Sequence, residues 1–284
     1  MPVYKETRTS VRQAVGRSSN MMLGRRTYSV TSGTLALVRA EDIVLRDSDY
    51  GRGLYLYVPD GGGSGQSRTV VSASAFVQGT GSILYPHLNF NPAPSTNANL
   101  ELWSGFEPIV VNGFIDDALR NAATSVLQRK EYIFSMVAGS YAYPLPAANA
   151  STTAFTYISG VFAESSVGSG EYNTPILNEY WDVDSDSDTR SIIFQKPYFD
   201  PFLVDTRKAK IIGQRSARLP TADTDNLEVD PEYVRLHTMY AMLDAMPWDD
   251  MDRSKRDRFA RDAEAKLAAI TTAVYPDSIQ VEVW

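Results

Sequence analysis

The chain has 284 residues, of which 43% are hydrophobic and 21% are charged, with a net charge of −7 and no cysteine. This composition is typical of a globular protein of one or two domains. Because cysteine is absent, disulfides, zinc–thiolate sites, iron–sulfur clusters and thiol nucleophiles are excluded. An acidic chain without a strong basic run is not expected to read a DNA sequence, although a smooth acidic surface past which DNA slides is compatible with it.

The sequence carries no sign of a membrane or secretory segment. No apolar run is long enough for a transmembrane helix, and no apolar stretch follows Lys5 and Arg8 near the N-terminus. We therefore expect no membrane partner, and a reducing compartment such as a bacterial cytoplasm fits the lack of cysteine.

The β-like parts of the chain show apolar residues at every second position. Leu54, Leu56 and Val58 alternate with tyrosines, and the glycine-rich run at 61–65 then predicts a hairpin loop. Residues 179–183 and 190–194 read as the two strands of a second hairpin, with 184–188 as its loop. A later strand is predicted at 210–215.

The helical parts show apolar residues three and four positions apart. Pro108 fits the first turn of a central helix, and Asp230 followed by Pro231 is a good helix start. Two C-terminal helices with a short connection are expected to pack antiparallel. The apolar stripe of the central helix consists of Ile115, Ala118, Leu119, Ala122 and Val126.

These patterns predict an α+β fold. Its core is expected to be a helical bundle made of the N-terminal helix, the central helix and the C-terminal helix pair, with two inserted antiparallel β blocks and an extended C-terminal tail. In chain order we predict an N-terminal helical segment (1–29), a first β block (30–107), a central helix (108–131), a second β block (132–225), a C-terminal helix pair (226–276) and the tail (277–284).

Motifs that would indicate catalysis or cofactor binding are weak. The run at 61–65 lacks the Gly-Lys-Ser/Thr ending of a P-loop and precedes a strand-like stretch. Aspartates alternate through 182–188, but the glycine and glutamate positions of an EF-hand are not matched, which favours a polar turn over a calcium site.

His87 and His237 are far apart in sequence and lack ligand-spaced neighbours, and no Gly-x-Ser-x-Gly elbow is present. We therefore expect no enzyme activity, no cofactor and no metal site. A carboxylate pair for glycoside hydrolysis stays open, since such pairs meet only in space.

Four stretches, in this order along the chain, resemble the head-to-tail adaptor (connector) proteins of the neck of tailed bacteriophages. The first joins Asp49-Tyr50-Gly51-Arg52-Gly53-Leu54-Tyr55 to Gly63-Ser64-Gly65-Gln66-Ser67-Arg68-Thr69-Val70, and the second is Tyr141-Ala142-Tyr143-Pro144-Leu145-Pro146. The third joins Tyr180-Trp181-Asp182-Val183 to Arg190-Ser191-Ile192-Ile193-Phe194 and Pro197-Tyr198. The fourth runs from Ile212-Gly213-Gln214-Arg215 through Leu219-Pro220 and Asp223-Thr224-Asp225 to Val229-Asp230-Pro231-Glu232-Tyr233-Val234.

The resemblance implies a structural virion protein located in the neck, assembled in the host cytoplasm. It implies a homo-oligomeric ring, typically twelvefold, that binds the portal protein on one side and a downstream tail, stopper or terminator protein on the other. Double-stranded DNA would pass through the lumen without sequence-specific contacts. The tail at 278–284 would add a strand to a neighbouring sheet edge. The candidate interface residues are Ile279, Val281, Val283, Trp284, Tyr233, Tyr240 and Trp248.

Two other classes of function stay open. A tail-tube, tail-completion or baseplate protein should be dominated by β structure, and the helical stretch at 231–274 argues against it. A carbohydrate-binding module or glycosidase would be supported by an exposed aromatic platform with carboxylates nearby.

Overall fold

The computed structural model describes residues 4–23, 28–33, 38–40, 53–73, 82–147, 154–184, 190–245, 250–271 and 279–280. The chain divides into two compact units. One, the barrel unit, comprises Val3–Asn121 and Leu219–Ala269. The other, the sheet unit, comprises Ala122–Arg218 and Ile270–Trp284 together with Met1–Pro2.

The described strands of the barrel unit are β1 (Tyr28–Gly33), β2 (Val38–Ala40), β3 (Leu54–Tyr57), β4 (Ser67–Ala73), β5 (Ser82–Pro86) and β6 (Asn99–Ser104). They form a closed antiparallel barrel in the order β1-β2-β5-β4-β3-β6, with β6 pairing back to β1. Alternate residues of a strand point to the same face, and those that point into the barrel are apolar. The buried cluster inside consists of Leu54, Leu56, Val58, Val70, Leu84, Phe90, Ala98, Leu100 and Leu102.

The glycine-rich run forms the connection between β3 and β4, which confirms the predicted hairpin loop. Tyr57 pairs with Ser67 at the base of this hairpin. Gly61, Gly63 and Gly65 have φ angles of 72°, 77° and 77°, a left-handed conformation that glycine adopts without steric cost.

Among the described residues, the α-helices that belong wholly or mainly to the barrel unit are α1 (Arg8–Ser18), α2 (Pro108–Ala123), α4 (Pro231–Asp244) and α5 (Asp250–Ile270), and α3 (Lys196–Phe199) lies in the sheet unit. Asp230 caps α4 by accepting a hydrogen bond from the Glu232 amide, so the predicted helix start is confirmed. Lys266 near the end of α5 pairs with Asp230, whereas Arg256 near its start pairs with Asp244. These contacts confirm that α4 and α5 run antiparallel.

The described elements of the sheet unit are β7 (Leu127–Ser135), β8 (Ala142–Pro144), β9 (Tyr157–Ala163), β10 (Thr174–Ile176), β11 (Trp181–Asp184), β12 (Ser191–Phe194), α3 (Lys196–Phe199), β13 (Lys208–Ser216) and β14 (Ile279–Gln280). The strands form two antiparallel sheets. One has the order β10-β9-β13-β7, with β14 pairing to β9, and the other has the order β11-β12-β8. Trp181 of β11 pairs with Phe194 of β12, which confirms the second predicted hairpin.

The core of the sheet unit is rich in aromatic residues. Phe194 and Phe199 stack with ring centroids 3.9 Å apart, and Tyr143 packs against Phe134 at 4.5 Å. Fifteen buried residues form this cluster: Phe134, Met136, Tyr143, Leu145, Phe155, Ile158, Val161, Ala163, Ile176, Trp181, Ile192, Phe194, Phe199, Ala209 and Ile211.

The prediction of a helical bundle core is wrong. The fold is rich in β-sheet, and within the described residues the two apolar clusters of the barrel and sheet units come chiefly from strands and their connections. Helix α5 contributes little to any core, because Ala263 is its one buried side chain among those described. Helical spacing identifies an apolar face but does not determine whether that face meets a helix or a sheet.

The central helix was also predicted too long. It ends at Ala123 instead of residue 131, and β7 begins at Leu127. Nine residue pairs join β7 to β13, from Leu127 with Ser216 to Ser135 with Lys208. This tertiary pairing outweighs the local helical spacing that includes Val126.

Candidate functional site

The predicted interface residues have different surroundings. Tyr233 is buried in α4 with 2% exposure, and Tyr240 on the same helix is half-buried. Ile279 pairs with Ile158 of β9, so the C-terminal strand lies along a sheet edge of its own chain. The remaining four, Trp248, Val281, Val283 and Trp284, lie outside the described residues.

The glycine-rich loop packs against the segment that precedes β6. The Gly62 amide donates to Ser95 Oγ at 3.0 Å, and the Gly65 amide donates to the Val58 carbonyl at 2.8 Å. A Cβ at Gly62 would lie 2.8 Å from the Ala93 carbonyl oxygen. Gly62 is therefore needed for the close backbone packing of this loop.

The aspartate run is only partly within the described residues. Asp182 and Asp184 belong to β11, and residues 185–189 lie outside the described part of the chain. Over the described ranges, no group of three or more His, Cys, Asp or Glu side chains could hold a metal ion.

The two histidines lie in different environments, both in the barrel unit. His87 is exposed, whereas His237 lies between Tyr233 and Tyr240, with ring centroids 5.8 Å and 6.0 Å away. Burial lowers the pKa of His237, and the charge of Asp117 opposes that shift. His237 therefore packs between two tyrosines of its own helix.

A buried ionic cluster, centred on Arg12, connects α1 to the barrel. Arg12 donates from Nε and Nη2 to the two carboxylate oxygens of Glu101, each at 2.9 Å, and neither side chain is exposed. Trp103 Nε1 and Gln13 Nε2 also donate to Glu101, each at 3.0 Å. These additional donors stabilise the buried carboxylate, and they offset part of the free-energy cost of removing the ion pair from water.

Asp223 brings the 219–230 segment into the same cluster, which we call the Arg12–Asp223 cluster. Its Oδ2 accepts from Arg12 Nη1 at 2.7 Å and from the Tyr57 hydroxyl at 2.6 Å. Asn112 of α2 accepts from Arg12 at 2.7 Å and donates to the Tyr57 hydroxyl at 3.1 Å. The cluster therefore joins α1, β3, β6, α2 and the segment before α4.

The surroundings raise the pKa of two groups in this cluster, Arg12 and Tyr57. Burial opposes the charge of Arg12, but the hydrogen bond and charge of Glu101 and the charge of Asp223 outweigh burial and raise the pKa of Arg12. Burial also raises the pKa of Tyr57 well above its ordinary value, and its bond to Asp223 adds to the shift. The arrangement suits rigid positioning rather than proton transfer near neutral pH.

A cleft of about 650 Å³ opens beside the Arg12–Asp223 cluster. Its walls are the β3–β4 loop, the first half of α2 and the 221–224 loop. Arg8 bridges Asp116 at 3.0 Å and Asp223 at 3.4 Å along one wall, and burial raises the pKa of Asp116. Ile109 adds an apolar side chain that is 49% exposed.

The Arg12–Asp223 cluster is not among the predictions made from the sequence. Two features of the sequence indicate it: Arg12 lies next to Val11 on the apolar face of α1, and Glu101 lies inside the apolar run Leu100–Trp103. A charged residue within an apolar run needs a partner when the run is buried. The identity of that partner depends on the tertiary structure, since Asp223 is distant in sequence.

Comparisons with known proteins assign no family. No protein-family model matches this chain, and no curated protein matches it. None of the described helices combines the length and the apolar character that crossing a lipid bilayer requires.

Proposed function

We propose that this chain is a structural subunit of the neck of a tailed-phage virion, an adaptor that forms a ring with copies of itself between the portal and the tail. The observation that carries the proposal is that the stretches resembling neck proteins contain framework residues of this fold. Asp223 belongs to the buried cluster, Asp230 caps α4, and Trp181 with Phe194 forms the buried end of a hairpin.

The Arg12–Asp223 cluster supports a structural role. Its charged groups are bonded to one another and to neighbouring polar side chains, so they hold elements in place. A ring around DNA also favours an acidic lumen, and the net charge of −7 is compatible with one.

Ring closure needs a heterologous contact, in which one patch binds a different patch on the next copy. The barrel unit exposes Val71, Tyr85 and Leu88 on β4, on β5 and just after β5, with exposures of 56%, 38% and 63%. The sheet unit exposes Val137 and Val204, at 55% and 46%, beside the backbone pairing of Met136 with Arg207. These two patches provide the two surfaces that such a contact requires.

Negative-stain microscopy and sedimentation of the purified protein, with and without the portal of the same phage, test the proposal. We expect closed rings that stack on the portal. Monomers under both conditions would contradict the adaptor function.

Patch variants sharpen this experiment. Leu88→Asp and Val137→Asp should each prevent ring closure, because each places a charge in an apolar contact. A mixture of the two variants should stop at small open assemblies, since each copy retains one intact patch. Val167→Asp is the matched control, because Val167 is 51% exposed on a separate loop and should leave rings intact.

A further inference from the structure

The sheet unit has a hollow on one face of its β9-β13-β7 strands. Ile212 of β13 pairs with Gly160 of β9 on one side and with Glu131 of β7 on the other, so these three residues share a face. The opposite face carries Val161 and Ile211, which belong to the buried core. The hollow has a volume of about 280 Å³, and its lining includes Arg129, Ser159, Gly160, Phe162, Ile212 and Gln214.

A β-bulge and a glycine lie at the base of this hollow. Ile212 pairs with Gly160, whereas the next residue of β13 pairs with Ile158. Ser159 is therefore the extra residue of the bulge and has no residue opposite it. Gly160 contributes no side chain, and a Cβ there would lie only 3.1 Å from Cε2 of Phe162. The glycine thus keeps the floor of the hollow open beside this aromatic ring.

The Gln214 side chain lies in the wall of the hollow with an unmet hydrogen bond. It is 8% exposed, and its Oε1 is buried without a partner among the described residues. Such an acceptor costs free energy, and most buried polar atoms in folded proteins are paired. A half-turn of the amide exchanges Oε1 and Nε2, so Gln214 can offer the hollow either an acceptor or a donor. The unmet bond therefore indicates a ligand with polar groups of both kinds.

The walls of the hollow are apolar and its rim is cationic. Phe162 and Ile212 bound it from β9 and β13. Arg129 lines it from β7, and the Arg129 side chain is 65% exposed. Glu131 pairs with Nη2 of Arg129 and with Nζ of Lys210, each at 2.6 Å. Because one carboxylate is shared by two cations, this rim has a net positive charge within an acidic protein.

We infer that this hollow binds a nucleotide, with the base inside and the phosphate at Arg129. A nucleobase is planar and carries donors and acceptors on its edges, which the amide of Gln214 can pair with. An aromatic ring such as that of Phe162 stacks on any base. The phosphate forms charge-assisted hydrogen bonds with the Arg129 guanidinium. The inference goes beyond ring assembly and does not depend on it.

The same features disfavour other occupants. A bare metal ion is not expected, because no group of three or more His, Cys, Asp or Glu side chains could hold one in the described part of the chain. A protein partner would cover about 800 Å² with few charges at its centre, whereas Arg129, Glu131 and Lys210 form a charged group beside the hollow. A purely apolar ligand would leave the Gln214 amide unpaired.

Saturation-transfer NMR tests this inference with AMP, GMP, CMP and UMP as probes, and with ribose 5-phosphate as the probe that lacks a base. We expect transfer to the base protons of at least one nucleotide, and much weaker transfer to ribose 5-phosphate. Gln214→Leu should lower the affinity about tenfold, because it removes the amide and keeps a similar volume. Gln195→Leu is the matched control, since Gln195 is an exposed glutamine of the same unit outside the hollow.

Thermal unfolding separates a binding role of Gln214 from a structural one. Gln214→Leu replaces an unpaired buried amide with an apolar group, so its melting temperature should not fall. Absence of transfer to all four nucleotides would overturn the inference. Equal transfer to ribose 5-phosphate, or an unchanged affinity in folded Gln214→Leu, would overturn it as well.

Arg129→Met tests the position of the phosphate. This variant should weaken the binding of AMP and leave the binding of adenosine, which has no phosphate, unchanged. Equal losses for the two probes would contradict the assignment of the phosphate to Arg129. A single-stranded oligoadenylate identifies the source of the ligand: tighter binding than AMP indicates a nucleic-acid strand, and equal affinity indicates a free nucleotide. Both results support the inference, since the bound unit is the same.

Discussion

Arg12 and Glu101 form a two-pronged ion pair in which neither side chain has any solvent exposure. A buried pair of this kind is tolerated only when further hydrogen bonds satisfy both groups, and here Trp103, Asn112 and Asp223 supply them. The pair joins helix α1 to strand β6 of the barrel. It is therefore a sensitive point for the stability of the barrel unit.

Replacing Arg12 with Met should destabilise the protein by about 3–5 kcal/mol, because Glu101 and Asp223 would keep their charges without their main partner. Urea unfolding followed by circular dichroism measures this change. Arg120→Met is the control, since the Arg120–Asp117 pair is about 60% exposed on both sides. That variant should stay within about 0.5 kcal/mol of the parent, and equal losses in the two variants would contradict the prediction.

Gly16→Ala should destabilise the protein by about 1–3 kcal/mol through overpacking. A Cβ at Gly16 would lie 2.5 Å from Cη2 of the buried Trp103 ring and 2.8 Å from Met22 Cβ. Gly113→Ala is the matched control within α2, because no atom lies within 4 Å of the added methyl group. That control should stabilise the protein by about 0.5–1 kcal/mol through helix propensity. Thermal unfolding measures both changes, and the two variants should shift the melting temperature in opposite directions. A higher melting temperature for Gly16→Ala would contradict the prediction and show that Trp103 moves to make room for the methyl group.

Asp230→Ala should cost about 1 kcal/mol of unfolding free energy, because the side chain caps α4. Its Oδ1 accepts from the Glu232 amide at 2.8 Å, and its Oδ2 lies 3.2 Å from Lys266 Nζ. Asp230→Asn keeps a capping oxygen but loses the ion pair, so it should cost only a few tenths of a kcal/mol. If the two variants lose equal stability in chemical denaturation, the ion pair with Lys266, and not the cap, provides most of the stabilisation by Asp230.

The Glu164 carboxylate should make stability depend on pH in the acidic range. It accepts hydrogen bonds from the Gly170 amide at 2.7 Å and the Lys208 amide at 3.1 Å, and the Gly170 bond is the main cause of its lowered pKa. A carboxyl whose pKa is lower in the folded state stabilises the fold above its unfolded pKa. That stabilisation is lost as the pH falls through the folded pKa.

Glu164→Gln should therefore be less stable than the parent at neutral pH, and the gap should narrow as the solution is acidified below the ordinary pKa of glutamate. Denaturant titrations at several pH values measure this gap. Glu171→Gln serves as the control, since Glu171 is exposed. A gap that stays constant down to strongly acidic pH would show that the hydrogen bonds of Glu164 do not depend on its charge.

The sequence by itself determined the local features of this protein. The cap at Asp230, the hairpin loop at 61–65 and the second hairpin around Trp181 and Phe194 were all predicted and confirmed. Each depends on residues that are neighbours in the chain, so capping, backbone conformation and alternation are readable without tertiary contacts.

Only the tertiary structure decided what the apolar faces pack against. The helical stripes predicted a bundle, but the strands form a closed barrel and a two-sheet core instead. A stripe of apolar residues is equally compatible with a helix or a sheet as its partner, and strand closure depends on pairing between distant residues. For the same reason, Arg12, Glu101 and Asp223 became one cluster only when α1, β6 and the segment before α4 came together.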